Sequence, residues 1–204
     1  MIGIGAPRNW RKTRFAHLCR DDRAAQLVEF AVSLPLLVVF VVGIFDFSGA
    51  FTLKQKLTNA ARDAARAAAA DPASDLRATV PVSVSDAFQI VDKYLIVNKL
   101  NDCGLAFKTF SAPATWIYNG TAGCQNGIST LTINRGYYFP STSVQPPSLT
   151  CTPQAPGGQT AVIATCVSIQ YAYQWRFGRV ASLLGSAASL PTQITATAVA
   201  MNEN

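Results

Sequence analysis

Residues 20–51 read RDDRAAQLVEFAVSLPLLVVFVVGIFDFSGAF, and the interpretation of the whole chain turns on them. From Leu27 to Phe45 the run is almost wholly apolar, yet it keeps one carboxylate, Glu29, two residues inside its edge. Its nineteen residues, at about 1.5 Å each, extend roughly 28 Å as a helix, close to the roughly 30 Å hydrocarbon core of a bilayer. An ionisable group inside such a segment is costly and points to a functional role; snorkelling to the interface is the simpler alternative. A secretory signal cleaved after Ser48-x-Ala50 accounts poorly for the length of the run, for Glu29 within it and for the helical pattern beyond it.

That pattern continues well past Phe45. Phe47, Ala50, Phe51, Leu53, Leu57, Ala60, Ala61, Ala64 and Ala68 recur at steps of three and four, with Lys54, Lys56, Arg62, Asp63 and Arg66 between them. That spacing predicts an amphipathic helix with those apolar residues on its packed face. The alanine-rich stretch from Ala60 to Ala70 favours helix, and Asp71-Pro72 stops it, because the residue before a proline is driven out of the helical region. One helix is therefore expected from about Ala24 to Ala70, its first half suited to lipid and its second to a protein surface. Pro35 removes a hydrogen bond to the Ala31 carbonyl and predicts a kink or local melting.

Arg8, Arg11, Lys12, Arg14, Arg20 and Arg23 precede the apolar run, against Lys54, Lys56, Arg62 and Arg66 after it. This asymmetry favours a cytoplasmic N-terminus. The net charge of +6 largely reflects these flanks. No basic run interleaves with aromatics in the folded region, so nucleic acid is not an expected partner.

The combination of Val28-Glu29-Phe30-Ala31, Leu34-Pro35, Asp46-Phe47 and the alanine/arginine repeat of residues 60–70 resembles the N-terminal signature of the TadE-like family, minor pseudopilins of the tight-adherence (Flp) type IV pilus machinery. The closing stretch LPTQITATAVAMNEN is loosely similar to the family's last strand. The resemblance implies a pilin-like fold. It implies processing by a prepilin peptidase between Ala24 and Ala25, which places Glu29 fifth in the mature chain; Ala24 stands where the family has glycine. It also implies that Glu29, Phe30 and Pro35 serve subunit pairing and recognition, with Glu29 meeting the freed amine of Ala25 on a neighbouring helix. Implied partners are the peptidase, other pilus subunits and pseudopilins, an inner-membrane assembly platform and membrane lipid. The expected location is the bacterial inner membrane, single-pass, with a periplasmic C-terminal domain.

The chain thus divides into three regions: a basic cytoplasmic leader (1–24), the transmembrane and amphipathic helix (25–71), and an extracytoplasmic α+β domain (72–204) of a size for one compact core. Ser83, Ser85 and Asp86 offer helix caps, and Phe88, Val91 and Leu95 come next at helical spacing, predicting a helix from Asp86 to about Leu100. After Cys103-Gly104, five segments rich in β-branched and aromatic residues predict strands: LAFKTF, ATWIYN, ISTLTINR, TAVIATCVSIQYAYQW and PTQITATAVAMN. In the fourth, Ile163, Thr165, Val167, Ile169 and Tyr171 form the more apolar side and are expected to face the core. Helix first and strands afterwards predicts an α+β domain with an antiparallel sheet. The proline-rich stretch 140–158 reads as a surface loop.

Cys103, Cys124, Cys151 and Cys166 all fall on the extracytoplasmic side, where two disulfides are expected. Three connectivities are open; sequential pairing, Cys103–Cys124 and Cys151–Cys166, closes two modest loops and is preferred. No Cys-x-x-Cys occurs and the single histidine, His17, lies in the leader beside an inert Cys19, so neither a metal nor another cofactor is expected. No phosphate loop, paired-carboxylate motif or nucleophile elbow is present, and the chain does not read as an enzyme. Asp86, Asp92 and Asp102 read as a cap, a solvated helix face and a turn. Two function classes remain: a pilus assembly component, and a signal-anchored periplasmic binding domain with its site in the proline-rich loop.

Overall fold

The computed structural model describes residues 22–72, 74, 76, 78–111, 114–124, 129–140, 151, 161–176 and 191–203. The leader, with His17 and Cys19, and nearly all of the proline-rich stretch lie outside the described residues. The fold is α+β. Helix α1 runs Asp22–Ala70 and α2 Val82–Val97, followed by strands β1 (Ala106–Ser111), β2 (Thr115–Gly120), β3 (Ser129–Pro140), β4 (Ala161–Ala172) and β5 (Gln193–Met201). The chain divides into two units, Met1–Phe45 and Asp46–Asn204.

In the second unit the five strands form one antiparallel sheet in sequence order, β1-β2-β3-β4-β5. Register aligns apolar side chains in rows across it. Trp116 pairs with Ile133, Ile133 with Val167 and Val167 with Ala198; Tyr118, Leu131, Ile169 and Ala196 make the next row. Leu53, Leu57, Ala60, Ala61, Ala64, Ala65 and Ala68 of α1, with Val84, Ala87, Val91 and Leu95 of α2, share one buried cluster with this face. Alanine at every turn lets α1 approach closely, since each side chain projects only one carbon. Phe88 stacks on Tyr118 at 4.5 Å between ring centroids. The opposite face is largely hydroxylated: Thr132, Ser168 and Thr197 align there, and Thr197 Oγ1 donates to Ser168 Oγ at 3.2 Å.

Both disulfides follow sequential pairing, Cys103–Cys124 and Cys151–Cys166. The second belongs to a smaller cluster with Tyr137 and Ala164. One extra residue between Asn134 and Tyr137 makes a bulge in β3, held by the Asn134 side chain, which accepts from Gly136 N–H at 2.9 Å. Bulges re-aim side chains. Here Arg135 is fully buried and its Nη2 donates to the Asp71 carbonyl at 2.8 Å, just past the end of α1. The last turn of α1 has no basic residue of its own, so Arg135 brings the cation that a helix C-terminus favours.

Five expectations need correction. The second helix starts at Val82, not Asp86, because Pro81 occupies the N-cap and its carbonyl accepts from Val84 and Ser85 N–H at 3.1 and 2.9 Å. Ser83, Ser85 and Asp86 therefore lie within the helix, past its N-cap. It ends at Val97 because Lys99 turns left-handed (φ 57°), letting Leu100 N–H reach the Leu95 carbonyl at 2.9 Å and Lys99 N–H the Ile96 carbonyl at 3.0 Å. Asp92 is half-buried, not solvated; burial and then the nearby Asp102 carboxylate raise its carboxyl above the ordinary value. On β4, Val167, Ile169 and Tyr171 enter the core as expected, but Ile163 is 51% exposed and joins neither buried cluster. Phe47 and Phe51 are also exposed, whereas the rest of the predicted stripe is buried from Ala50 onward. Asp102 does make the expected turn, its carbonyl accepting from Leu105 N–H at 3.2 Å.

Candidate functional site: an exposed apolar helix with one carboxylate

The first unit contributes residues 22–45 of α1. An 18-residue window of this helix has mean hydropathy 2.6 and none of it is buried. Leu27, Val28, Phe30, Val32, Leu36, Leu37, Phe40 and Ile44 are all more than half exposed. A helix that is apolar on every side has no solvated face, which is the pattern of a segment solvated by lipid. It is long and apolar enough to cross a membrane once.

Ala25 and Glu29 are one turn apart and so lie on one side of α1, with Ser33 a further turn along. All three side chains are exposed. The Ala24-Ala25 peptide lies in the first turn of α1. Phe30 is 62% exposed on an adjoining side. The helix continues through Pro35, so of the expected kink or local melting the chain does not melt there; the proline removes a single ladder hydrogen bond. Ser33 Oγ donates to the Phe30 carbonyl at 3.4 Å just before it.

Immediately after the apolar run, in the second unit, comes a cluster that the sequence did not reveal. Asp46 is buried, and its Oδ1 accepts from Arg176 N–H at 3.2 Å. The Asp46 carbonyl accepts from the Tyr173 hydroxyl at 3.4 Å. Burial first, and then the Asp46 carboxylate, push the Tyr173 hydroxyl above its ordinary value, while Arg176 pulls it down. The only sequence signal was an acid placed where the apolar run ends; nothing local ties it to residues 127 and 130 positions later.

The four predicted cysteines are taken up in the two bridges and serve the fold. Among the described residues no group of His, Cys, Asp and Glu could hold a metal. A groove open to solvent is lined by Ala67, Asp71, Asp86, Gln89, Ile90 and Lys93.

Residues 24–66 match the family model described as TadE-like protein. The N-terminal segment is thus TadE-like over the stretch that carries Glu29, Pro35, Asp46 and the start of the alanine stripe. No curated protein and no solved structure matches the chain.

Proposed function

We propose that this chain is a minor pseudopilin-like component of a tight-adherence pilus machinery, anchored in the inner membrane by residues 27–45 with its disulfide-bonded domain in the periplasm. The observation that carries the reading is the placement of Glu29, an exposed carboxylate in a lipid-type helix, inside the segment that matches the TadE-like family. A prepilin peptidase cuts between Ala24 and Ala25; the first turn of α1 must fray to admit it, as helix ends do. The freed Ala25 amine is a cation near the membrane interface. A carboxylate on a neighbouring helix offsets it, and because either charge alone costs about 2.5–3.5 kcal/mol in lipid, pairing selects the register between subunits. Phe30 and Pro35 shape the same stretch of helix surface for other subunits and the assembly platform. No catalysis is assigned to the chain.

The test has two parts. N-terminal sequencing of protein co-expressed with its prepilin peptidase should begin at Ala25, and an intact Met1 would refute processing. Glu29→Gln should still insert and form both disulfides but lose co-purification with pilus subunits and lower piliation in a complemented deletion strain. Unchanged partner recovery and piliation would instead favour the signal-anchored binding domain, with the groove beside Asp86 and Lys93 as its first place to look.

A further inference from the structure

Phe47 and Phe51 stand one turn apart on α1 and are 63% and 65% exposed, although the same helix buries an alanine stripe from Ala50 onward. Trp175, in the segment after β4, meets Phe47 edge-on at 5.4 Å between ring centroids, and Tyr173 meets Trp175 at 5.1 Å. The cluster is held from behind. Asp46 binds both Arg176 and Tyr173, and Trp175 Nε1 donates to the Pro191 carbonyl at 2.8 Å. Gly49 leaves room for the Tyr173 hydroxyl, which a Cβ there would meet at 3.3 Å. The result is a fixed group of rings with two phenylalanines turned outward and the Arg176 side chain exposed beside them.

Its place along the chain identifies what it meets. The interfacial layer on each side of a bilayer is roughly 5–8 Å thick, taking about 40–45 Å for the whole bilayer and about 30 Å for its hydrocarbon. Phe47 and Phe51 come two and six residues after Phe45, about 3 and 9 Å of helix rise. Helical side chains lean toward the N-terminus, here toward the lipid. Trp175 is in contact with Phe47 and so shares its level. Tryptophan and tyrosine concentrate at this depth, and an exposed arginine beside them complements lipid phosphate.

We propose that Phe47, Phe51, Tyr173, Trp175 and Arg176 form a foot that seats the globular unit on the phospholipid headgroup layer of the membrane entered by residues 27–45. This rests on the spanning role of that run and not on the pilus assignment. Asp46 acts as the clasp that keeps the segment after β4 against α1, so that the rings are presented together.

The test is tryptophan fluorescence of the full chain in phosphatidylcholine/phosphatidylglycerol vesicles whose lipids carry bromine either near the glycerol end or near the methyl end of the acyl chain. The difference between wild type and Trp175→Phe isolates Trp175. Phe51→Trp, at an exposed site, adds a second reporter that does not depend on that variant folding, and Phe40→Trp marks the span. Trp175 and the reporter at 51 should lose roughly half their emission to the shallow bromines, little to the deep ones, and be shielded from aqueous iodide. The reporter at 40 should respond most to the deep bromines. If the reporter at 40 behaves so while the other two ignore bromine and are freely quenched by iodide, the foot is refuted and the span stands. Shielding from iodide without bromine quenching would mean that protein covers the rings, and also refutes it. If the reporter at 40 is itself unquenched by bromine, the span and the foot fall together.

Discussion

Removing the two disulfides separately and together tests how the globular unit is stabilised. Cys103–Cys124 spans a sequence separation of 21 and Cys151–Cys166 one of 15. In the chain-entropy account, constraining unfolded loops of those lengths contributes about 3.3 and about 3.0 kcal/mol. Each paired Cys→Ala replacement should therefore lower the melting temperature by about 6–13 °C, taking about 2–4 °C per kcal/mol for a unit of this size. The bridges lie in separate buried clusters, so their effects should add to about 6 kcal/mol, a large part of the 5–15 kcal/mol typical of a domain. The native geometry around Cys103 should survive its loss. Ala122 N–H donates to the Cys103 carbonyl at 2.9 Å, Asn101 Nδ2 to the Gly123 carbonyl at 2.8 Å and the Tyr171 hydroxyl to the Asn101 carbonyl at 2.9 Å. Around Cys151, its carbonyl accepts from Asn134 Nδ2 at 2.9 Å. The assay is thermal unfolding of the full chain in detergent, followed by near-ultraviolet dichroism of the buried Trp116. A quadruple variant that melts within two or three degrees of wild type, well inside the single-pair effect, would refute the reasoning.

Gly120→Ala should be severe, because a Cβ there would lie 2.6 Å from the Cys103 carbonyl oxygen and 3.0 Å from Leu105 N, both backbone; a loss of about 2–3 kcal/mol or more in urea unfolding is expected. Lys99→Gly should stabilise by up to about 1 kcal/mol in the same assay, since it relieves a left-handed residue that closes α2. Asp92→Asn should stabilise at neutral pH. Its carboxyl is raised in the folded state, so the favourable protonated form is fully present below 3.8 and lost as pH rises through the folded value. The variant's advantage in urea midpoint should thus grow with pH and vanish below 3.8, and Asp102→Asn should reproduce part of it.

Elements whose signal is local were readable from the chain alone. The 49-residue apolar-then-amphipathic helix shows in its periodicity, and the five strands in runs of Val, Ile, Thr and aromatic residues bounded by turns. The misreadings have local causes of a different kind. Ser83 and Asp86 are good caps in isolation, but a proline two residues upstream of Ser83 fixed the backbone first. Lys99 is a poor candidate for a left-handed turn, so the helix end was placed too late. The exposed position of Phe47 and Phe51 escaped the periodicity because i, i+3, i+4 spacing marks an apolar side without saying whether protein or lipid covers it. Arg135 capping α1 and Asp46 clasping Arg176 join residues 64 and 130 apart, and no one-dimensional pattern encodes such pairs. For the candidate site, the spanning run and Glu29 were plain in the sequence; its aromatic surroundings were not.

The order of the sheet bears on how the molecule is made. Among the described residues every ladder joins strands that are consecutive in sequence, so each new strand can pair with the one just synthesised, and the sheet grows without long-range search. The long helix is in the opposite situation. It emerges first, yet its Lys54 Nζ donates to the Thr195 carbonyl on the last strand, 141 residues later. Loop-closure cost rises only slowly with length, so what makes this contact late is the order of synthesis, in which β5 comes last. Until β5 is in place the alanine stripe of α1 stays incompletely covered. Assembly of this protein therefore has a built-in late stage, in which the helix is already in place and its docking surface is still being completed.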